Sequence, residues 1–168
     1  MGTGDGAWVL RRARAEPSRF FVGIDANAEN LASASRRAAA KPQRGGCANA
    51  LFVQAAAEAP PSELEGLADS LTVLLPWGSL LAAVTAPDVT VLAGLARLCK
   101  SGAEVRIVFG HDVPGLQVLC DRCAEAGFAV AARELEQREL ADLGTSWSGR
   151  LAHGRARRFY ELRGARAM

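Results

Sequence analysis

Along these 168 residues, short apolar runs alternate with longer stretches whose apolar positions recur at the helical period. "AWVLRRARAE" sets Ala7, Trp8, Leu10 and Ala13 among arginines, which predicts a helix that Pro17 and Ser18 stop. "RFFVGIDA" is a compact apolar run ending in an acid, as in a buried parallel strand, and Asn27 is placed to cap a second helix over "NAENLASASRRAAAK". "PQRGG" is a loop, "NALFVQA" a strand, and "EAPPSELEG" a proline-rich connection with room for a short helix at most. "DSLTVLLPWGSLL" begins as a buried strand and breaks at Pro76 into a turn. "PDVTVLAGLARLCK" is helical, entered at Pro87 and closed by "SG" before the strand "AEVRIVFG". "VPGLQVLCDRCAEAG" is a helix with a glycine stop, and "FAVAARELE" a strand running into a short acidic segment. "TSWSGRLAHG" completes the pattern as a helix and "RRFYELRG" as a strand. Strands alternating with helices predict an α/β fold with a mainly parallel sheet covered by helices on both faces.

The length fits one domain. Apolar residues make up 49% and charged residues 23% of the chain, and no apolar run approaches the roughly 18 residues needed to span a bilayer. No charged segment leads into an apolar one at the start, so nothing suggests secretion, and the four cysteines read as reduced thiols of a cytoplasmic protein. Net charge is only +2, yet the end of the chain carries Arg150, Arg155, Arg157, Arg158, Arg163 and Arg166 against one acid, Glu161. Such a tail suits a phosphate-bearing partner; a GC-rich genome, which enriches Arg and Ala throughout, accounts for it as well.

Chemistry concentrates at three places. In Gly2-Thr3-Gly4-Asp5-Gly6, glycines permit positive φ and close backbone approach ahead of a helix whose free N–H groups face a ligand. The G-x-G-x-G spacing differs from the G-x-G-x-x-G of dinucleotide binders, which disfavours an NAD-dependent enzyme. Asp25 ends the next strand, where an acid accepts both hydroxyls of a ribose, so loop and acid together point to an adenosine-containing ligand. Trp77 in "LLPWGSLL" stands at the carboxyl edge of the sheet, as a lid on the core or as a stacking platform for a flat substrate, and Trp147 in "GTSWSGR" lies beside the basic tail. Two such rings are able to grip one base from both faces.

"GTGDG", "FVGIDANAENLASASRRAA", "NALFVQAAAE", "LLPWGSLL" and "TSWSGRLAHGRARRFYEL" resemble the aminoglycoside-resistance 16S rRNA methyltransferases of the kanamycin–apramycin type, over essentially the whole chain. "PWGSLL" and "SWxxRLAxGRxRR" carry the resemblance more specifically than the glycine loop, which all class I methyltransferases share. It implies a class I, Rossmann-like fold and S-adenosylmethionine-dependent methylation of N1 of adenine-1408 in the 30S subunit, by a cytoplasmic monomer with no metal and no membrane partner. It further implies that Gly2, Thr3 and Gly4 meet the methionine part of S-adenosylmethionine, Asp25 the ribose, and Ala57 and Glu58 the adenine. Ser79 and Thr145 would lie near the cofactor's amino-acid end. Trp77 and Trp147 would hold the flipped target adenine, and Arg150, Arg155, Arg157 and Arg158 the rRNA. Family members carry an N-terminal hairpin and a first strand ahead of the loop. Residues 1–168 are therefore expected to form a single methyltransferase domain lacking both, with Met1 at an internal position of a mis-started or shortened gene.

The remaining candidates have plainer readings. Cys120 and Cys123 lie at i, i+3 in a helical pattern, and Cys47 and Cys99 supply no second pair, so packing explains them better than zinc. His111 belongs to turn chemistry, His153 is a bystander, Trp8 belongs to helix core or a lid, and Glu134 and Glu136 form a solvated face. The rival functions are a class I methyltransferase for another RNA or a small molecule, and an inactive remnant that binds only cofactor or RNA.

Overall fold

The computed structural model describes residues 1–113, 115–153 and 157–168. β1 (Phe21–Asp25) and β2 (Ala50–Gln54) pair in parallel, with Gly23 opposite Phe52. They are covered by α1 (Ala7–Ala15) and α2 (Ala28–Ala38), whose buried Leu10, Ala13 and Ala38 pack with Cys47 against Phe21 and Phe52. The predicted cap is present: the Asn27 side chain accepts hydrogen bonds from the N–H groups of Glu29 at 2.9 Å and Asn30 at 3.4 Å.

Four more strands form the larger sheet. β3 (Ala68–Leu74) runs parallel to β4 (Cys99–Phe109), and β6 (Phe159–Arg166) lies antiparallel between β4 and β5 (Phe128–Leu135). In this sheet β6 alone runs opposite to the other three described strands, so the arrangement is α/β and mainly parallel. On one face, α3 (Gly78–Thr85), α4 (Val89–Arg97) and α5 (Leu116–Glu125) bury Leu80, Leu92, Leu95 and Leu119 against Val73, Ile107 and Leu162. Each fully buried side chain of this kind contributes roughly 1.5–3 kcal/mol. On the other face, Val108, Leu135 and Phe159 meet Leu140 and Leu143 of a 3₁₀ segment, Gln137–Leu143, and Leu151 of α6 (Ser148–Ala152). No single described helix is long and apolar enough to cross a membrane.

Two expectations need correction. The turn at Pro76 leads directly into α3, whose Trp77 N-cap makes no side-chain capping bond and so leaves no polar mark in the sequence. "SG" does not close α4: Ser101 and Gly102 lie inside β4, which begins at Cys99. Gly102 has φ 75°, and the pairing register shifts between Ala68 and Ser70, so an irregular strand imitates a helix stop.

β1 and β3 are not paired with each other, and they flank a cavity of about 1020 Å³. The first residues bridge the strands at one end. The Met1 amine donates to the Thr72 carbonyl at 3.0 Å, and the Thr3 N–H donates to the Ile24 carbonyl at 3.1 Å. Burial pulls the Met1 ammonium down to about 6.

The acid that interrupts the basic tail holds the larger sheet together. Glu161 is 2% exposed, accepting from Arg106 Nε at 2.7 Å and Arg133 Nε at 2.8 Å. Burial pushes its carboxyl up, but the two arginines more than reverse this and hold it below the ordinary 4.5. An acid with a depressed folded-state value stabilises the fold above its unfolded value and loses that contribution as the pH falls through the folded one. Glu161→Gln is therefore expected to lower stability at pH 7 by roughly 1–3 kcal/mol in urea unfolding, since both arginines remain half-exposed, and the difference from wild type should shrink below about pH 4.

Candidate active site

Both β1 and β3 end at the mouth of the cavity, and the glycine loop lies across it. Gly6 is buried so tightly that a Cβ there would sit 2.5 Å from the Ala34 Cβ and 2.7 Å from the Phe52 ring, at φ 66°. No other residue lets the chain turn into α1 at this distance. Asp25 pins the loop to the strand end: its Oδ2 accepts from the Gly4 N–H at 2.7 Å and its Oδ1 from the Asn27 N–H at 2.9 Å. Each carboxylate oxygen keeps a free lone pair, so Asp25 is still able to accept from a ligand's hydroxyls. Ala55, Ala56 and buried Ala57 form the adjoining wall, with the Ala55 N–H donating to the Asp25 carbonyl at 3.0 Å.

The opposite wall is made where β3 ends. Leu75 adopts φ 52°, left-handed for a branched residue that also precedes proline, and is held there by burial and by its N–H donating to the Val108 carbonyl at 2.7 Å. Such a conformation costs about 1–3 kcal/mol and clusters at ligand sites. It throws the chain out at Pro76 and presents Trp77, which is 60% exposed. Trp147 enters from the segment before α6 and is 49% exposed; the indole centroids stand 5.7 Å apart with planes tilted by 51°. The rings thus touch each other.

The cavity brings together Gly2, Thr3, Gly4, Asp25, Ala57, Trp77, Ser79, Thr145 and Trp147. Glu58 is the exception: it is exposed beyond the lining, and a hydrogen bond from Ser79 lowers its carboxyl's pKa. Among the arginines, Arg150 stacks its guanidinium over Trp147 at 5.5 Å. Arg157 and Arg158 are exposed, and Arg158 hydrogen-bonds Tyr160, which raises its pKa further. Arg155 lies outside the described residues. Residues that the sequence did not mark out are Leu75, Asp5 and Ser146, all three of which line the cavity.

Apart from Trp8, the other candidates do not line this site. Cys99 and Cys123 are buried thiols whose pKa values burial raises, and no described group of three or more His, Cys, Asp or Glu is placed to hold a metal. His111 and His153 each face a nearby backbone carbonyl, of Asp112 and Gly149. Glu136 caps the 3₁₀ segment reciprocally with Glu139. Trp8 lines the cavity wall under the Arg12 guanidinium.

A family model described as "NpmA: 16S rRNA (adenine(1408)-N(1))-methyltransferase" matches residues 1–114. An Escherichia coli protein called 16S rRNA (adenine(1408)-N(1))-methyltransferase is 33% identical over 184 aligned residues, covering 98% of this chain and 84% of that one. The chain belongs to this family. A protein of the same description from Streptoalloteichus tenebrarius is 38% identical, covering 94% of this chain and 80% of its own length. The crystal structure of a mutant family enzyme from Catenulisporales acidiphilia with cosubstrate SAM superposes with a TM-score of 0.88 at 33% identity, covering 99% of this chain and 84% of that one. The fold is accordingly that of a Rossmann-like S-adenosylmethionine-dependent methyltransferase.

In this 16S rRNA methyltransferase fold, Asp25 is the residue on which loop and strand converge. Asp25→Ala is expected to release the Gly4 and Asn27 amides, speeding their hydrogen exchange by about tenfold, the loss of about 1–2 kcal/mol of local protection, while amides of β4 keep theirs.

Proposed function

We propose that this chain transfers a methyl group from S-adenosylmethionine to N1 of adenine-1408 of 16S rRNA, acting on the 30S subunit as a monomer without a metal and conferring aminoglycoside resistance. The single observation that carries the reading is one cavity lined by a glycine loop, an acid at a strand end and two exposed indoles. Family membership supplies the chemistry: the family is described by transfer to this adenine, and a relative was crystallised with SAM as cosubstrate.

The residues fit the cofactor. Gly2, Thr3 and Gly4 would hold its amino-acid part with Ser79 and Thr145, Asp25 its ribose, and Ala57 and Glu58 its adenine, with Glu58 hydrogen-bonded to Ser79. When bound, S-adenosylmethionine supplies a methyl group activated by the adjoining sulfonium. Adenine N1 already carries a lone pair, so the protein's task is alignment more than proton abstraction. Trp77 and Trp147 take the base between them, and their faces favour the positive charge that the ring acquires. Their mutual contact means that the indoles separate as the base enters, with Arg150 travelling on Trp147. Extruding the base costs a few kcal/mol, which stacking offsets. Arg150, Arg155, Arg157 and Arg158 neutralise the phosphates on which the subunit docks.

The test is incubation of the chain with 30S subunits and S-adenosylmethionine, followed by primer extension and mass spectrometry of the digested rRNA. A single N1-methyl group at the decoding-site adenine is expected; methyl transfer only to another RNA or to a small molecule, or no transfer, overturns the reading. Trp77→Ala and Trp147→Ala are each expected to lower turnover by about 5- to 150-fold, the equivalent of about 1–3 kcal/mol of stacking, with cofactor affinity little changed. Arg157→Ala with Arg158→Ala should weaken 30S binding and flatten its salt dependence by about one unit of slope for each phosphate left without its arginine.

A further inference from the structure

Residues 144–148, which carry Trp147, are closed upon themselves. The Thr145 N–H donates to Ser148 Oγ at 2.9 Å, and the Ser148 N–H donates back to Thr145 Oγ1 at 2.9 Å. Ser148 Oγ donates to the Thr145 carbonyl at 3.1 Å, and Ser148 is fully buried. These bonds make residues 145–148 one unit. Ser146, exposed between them, turns the other way. Its Oγ donates to Asp5 Oδ2 at 2.6 Å, across 141 residues of sequence.

Asp5 is the residue of the glycine loop best placed to carry a message. Its neighbour Gly4 donates to Asp25, its own Oδ1 accepts from the first N–H of α1, that of Ala7, at 3.0 Å, and its carbonyl accepts from Arg37 at 3.4 Å. The Arg11 side chain of α1 rests against Gly144, so close that a Cβ there would fall 2.4 Å from its Nη2. The tryptophan segment is thus seated on the loop and on the first turns of α1, and the loop itself is one wall of the site. Both side chains of the Asp5–Ser146 bond are exposed, so the bond is weak enough to break and remake.

We infer that Asp5 and Ser146 are positioning residues that couple occupancy of the cofactor loop to the placement of Trp147, so that cofactor and 30S subunit each strengthen the other's binding. The inference rests on the function proposed above. A ligand against Gly2–Gly4 sets the position of Asp5, Asp5 sets Ser146, and the closed unit 145–148 carries the indole and Arg150 with it. Coupling of this kind is reciprocal by thermodynamic necessity.

The test measures binding of S-adenosylhomocysteine, which carries no transferable methyl, to the chain with and without saturating 30S subunits, for wild type, Ser146→Ala and Ser146→Thr. Wild type is expected to bind it about 5- to 150-fold more tightly with the subunit present. Ser146→Ala should bring that ratio close to one, with melting temperature unchanged, and Ser146→Thr, which keeps the hydroxyl, should restore it. Asp5→Asn, which keeps an oxygen for the Ala7 N–H and weakens the acceptor for Ser146, should move the ratio in the same direction as Ser146→Ala. A wild-type ratio of one, or a Ser146→Ala ratio equal to that of wild type, overturns the coupling while methylation of 30S by wild type leaves the proposed function standing. A wild type that methylates no 30S subunit overturns both.

Discussion

The Asp25 carboxylate is the constraint on which the site depends. Three residues of the glycine loop carry no side chain and adopt positive φ, so much of its geometry is imposed from outside. Asp25 imposes it by accepting from Gly4 on one oxygen and from Asn27 on the other, which ties the loop, the end of β1 and the start of α2 to one rigid group. Under the proposed function the same two oxygens would accept from a ribose, so that structural and ligand-binding roles would fall on one side chain.

The second wall has a different physical basis. Where β1 ends in a hydrogen-bonded acid, β3 ends in strain: Leu75 is held left-handed by burial so that Pro76 and Trp77 leave the sheet at once. An exposed indole at that exit packs against another indole in the Trp77–Trp147 contact. Under the proposed function a target base would compete for surfaces that already satisfy each other. That competition would make the placement of Trp147, and whatever anchors its segment, part of the chemistry.

The sequence revealed most where a residue's local neighbours decide its role. Buried runs such as "FVGID" became strands, Asn27 capped α2, and Asp25, Trp77 and Trp147 came together at one edge because each ends or follows a recognisable element. It revealed least where a distant partner decides. Asp5 stood out only as part of the glycine loop, and Ser146 carried no pattern at all, since their bond joins opposite ends of the chain. Glu161 looked like a stray acid in a basic tail, but pairing of β6 between β4 and β5 buries it between two arginines. Gly102 and Trp77 misled for the same reason: a bulge and an uncapped helix start leave the marks of a stop and a turn.

A crystal structure of this chain with S-adenosylmethionine measures the central claim most directly. The account predicts the cofactor against Gly2–Gly4, Asp25 and Ala57, with Asp25 still accepting from the Gly4 N–H. Cofactor lodged between β1 and β3 away from Asp25, or a loop released from Asp25 on binding, would contradict it.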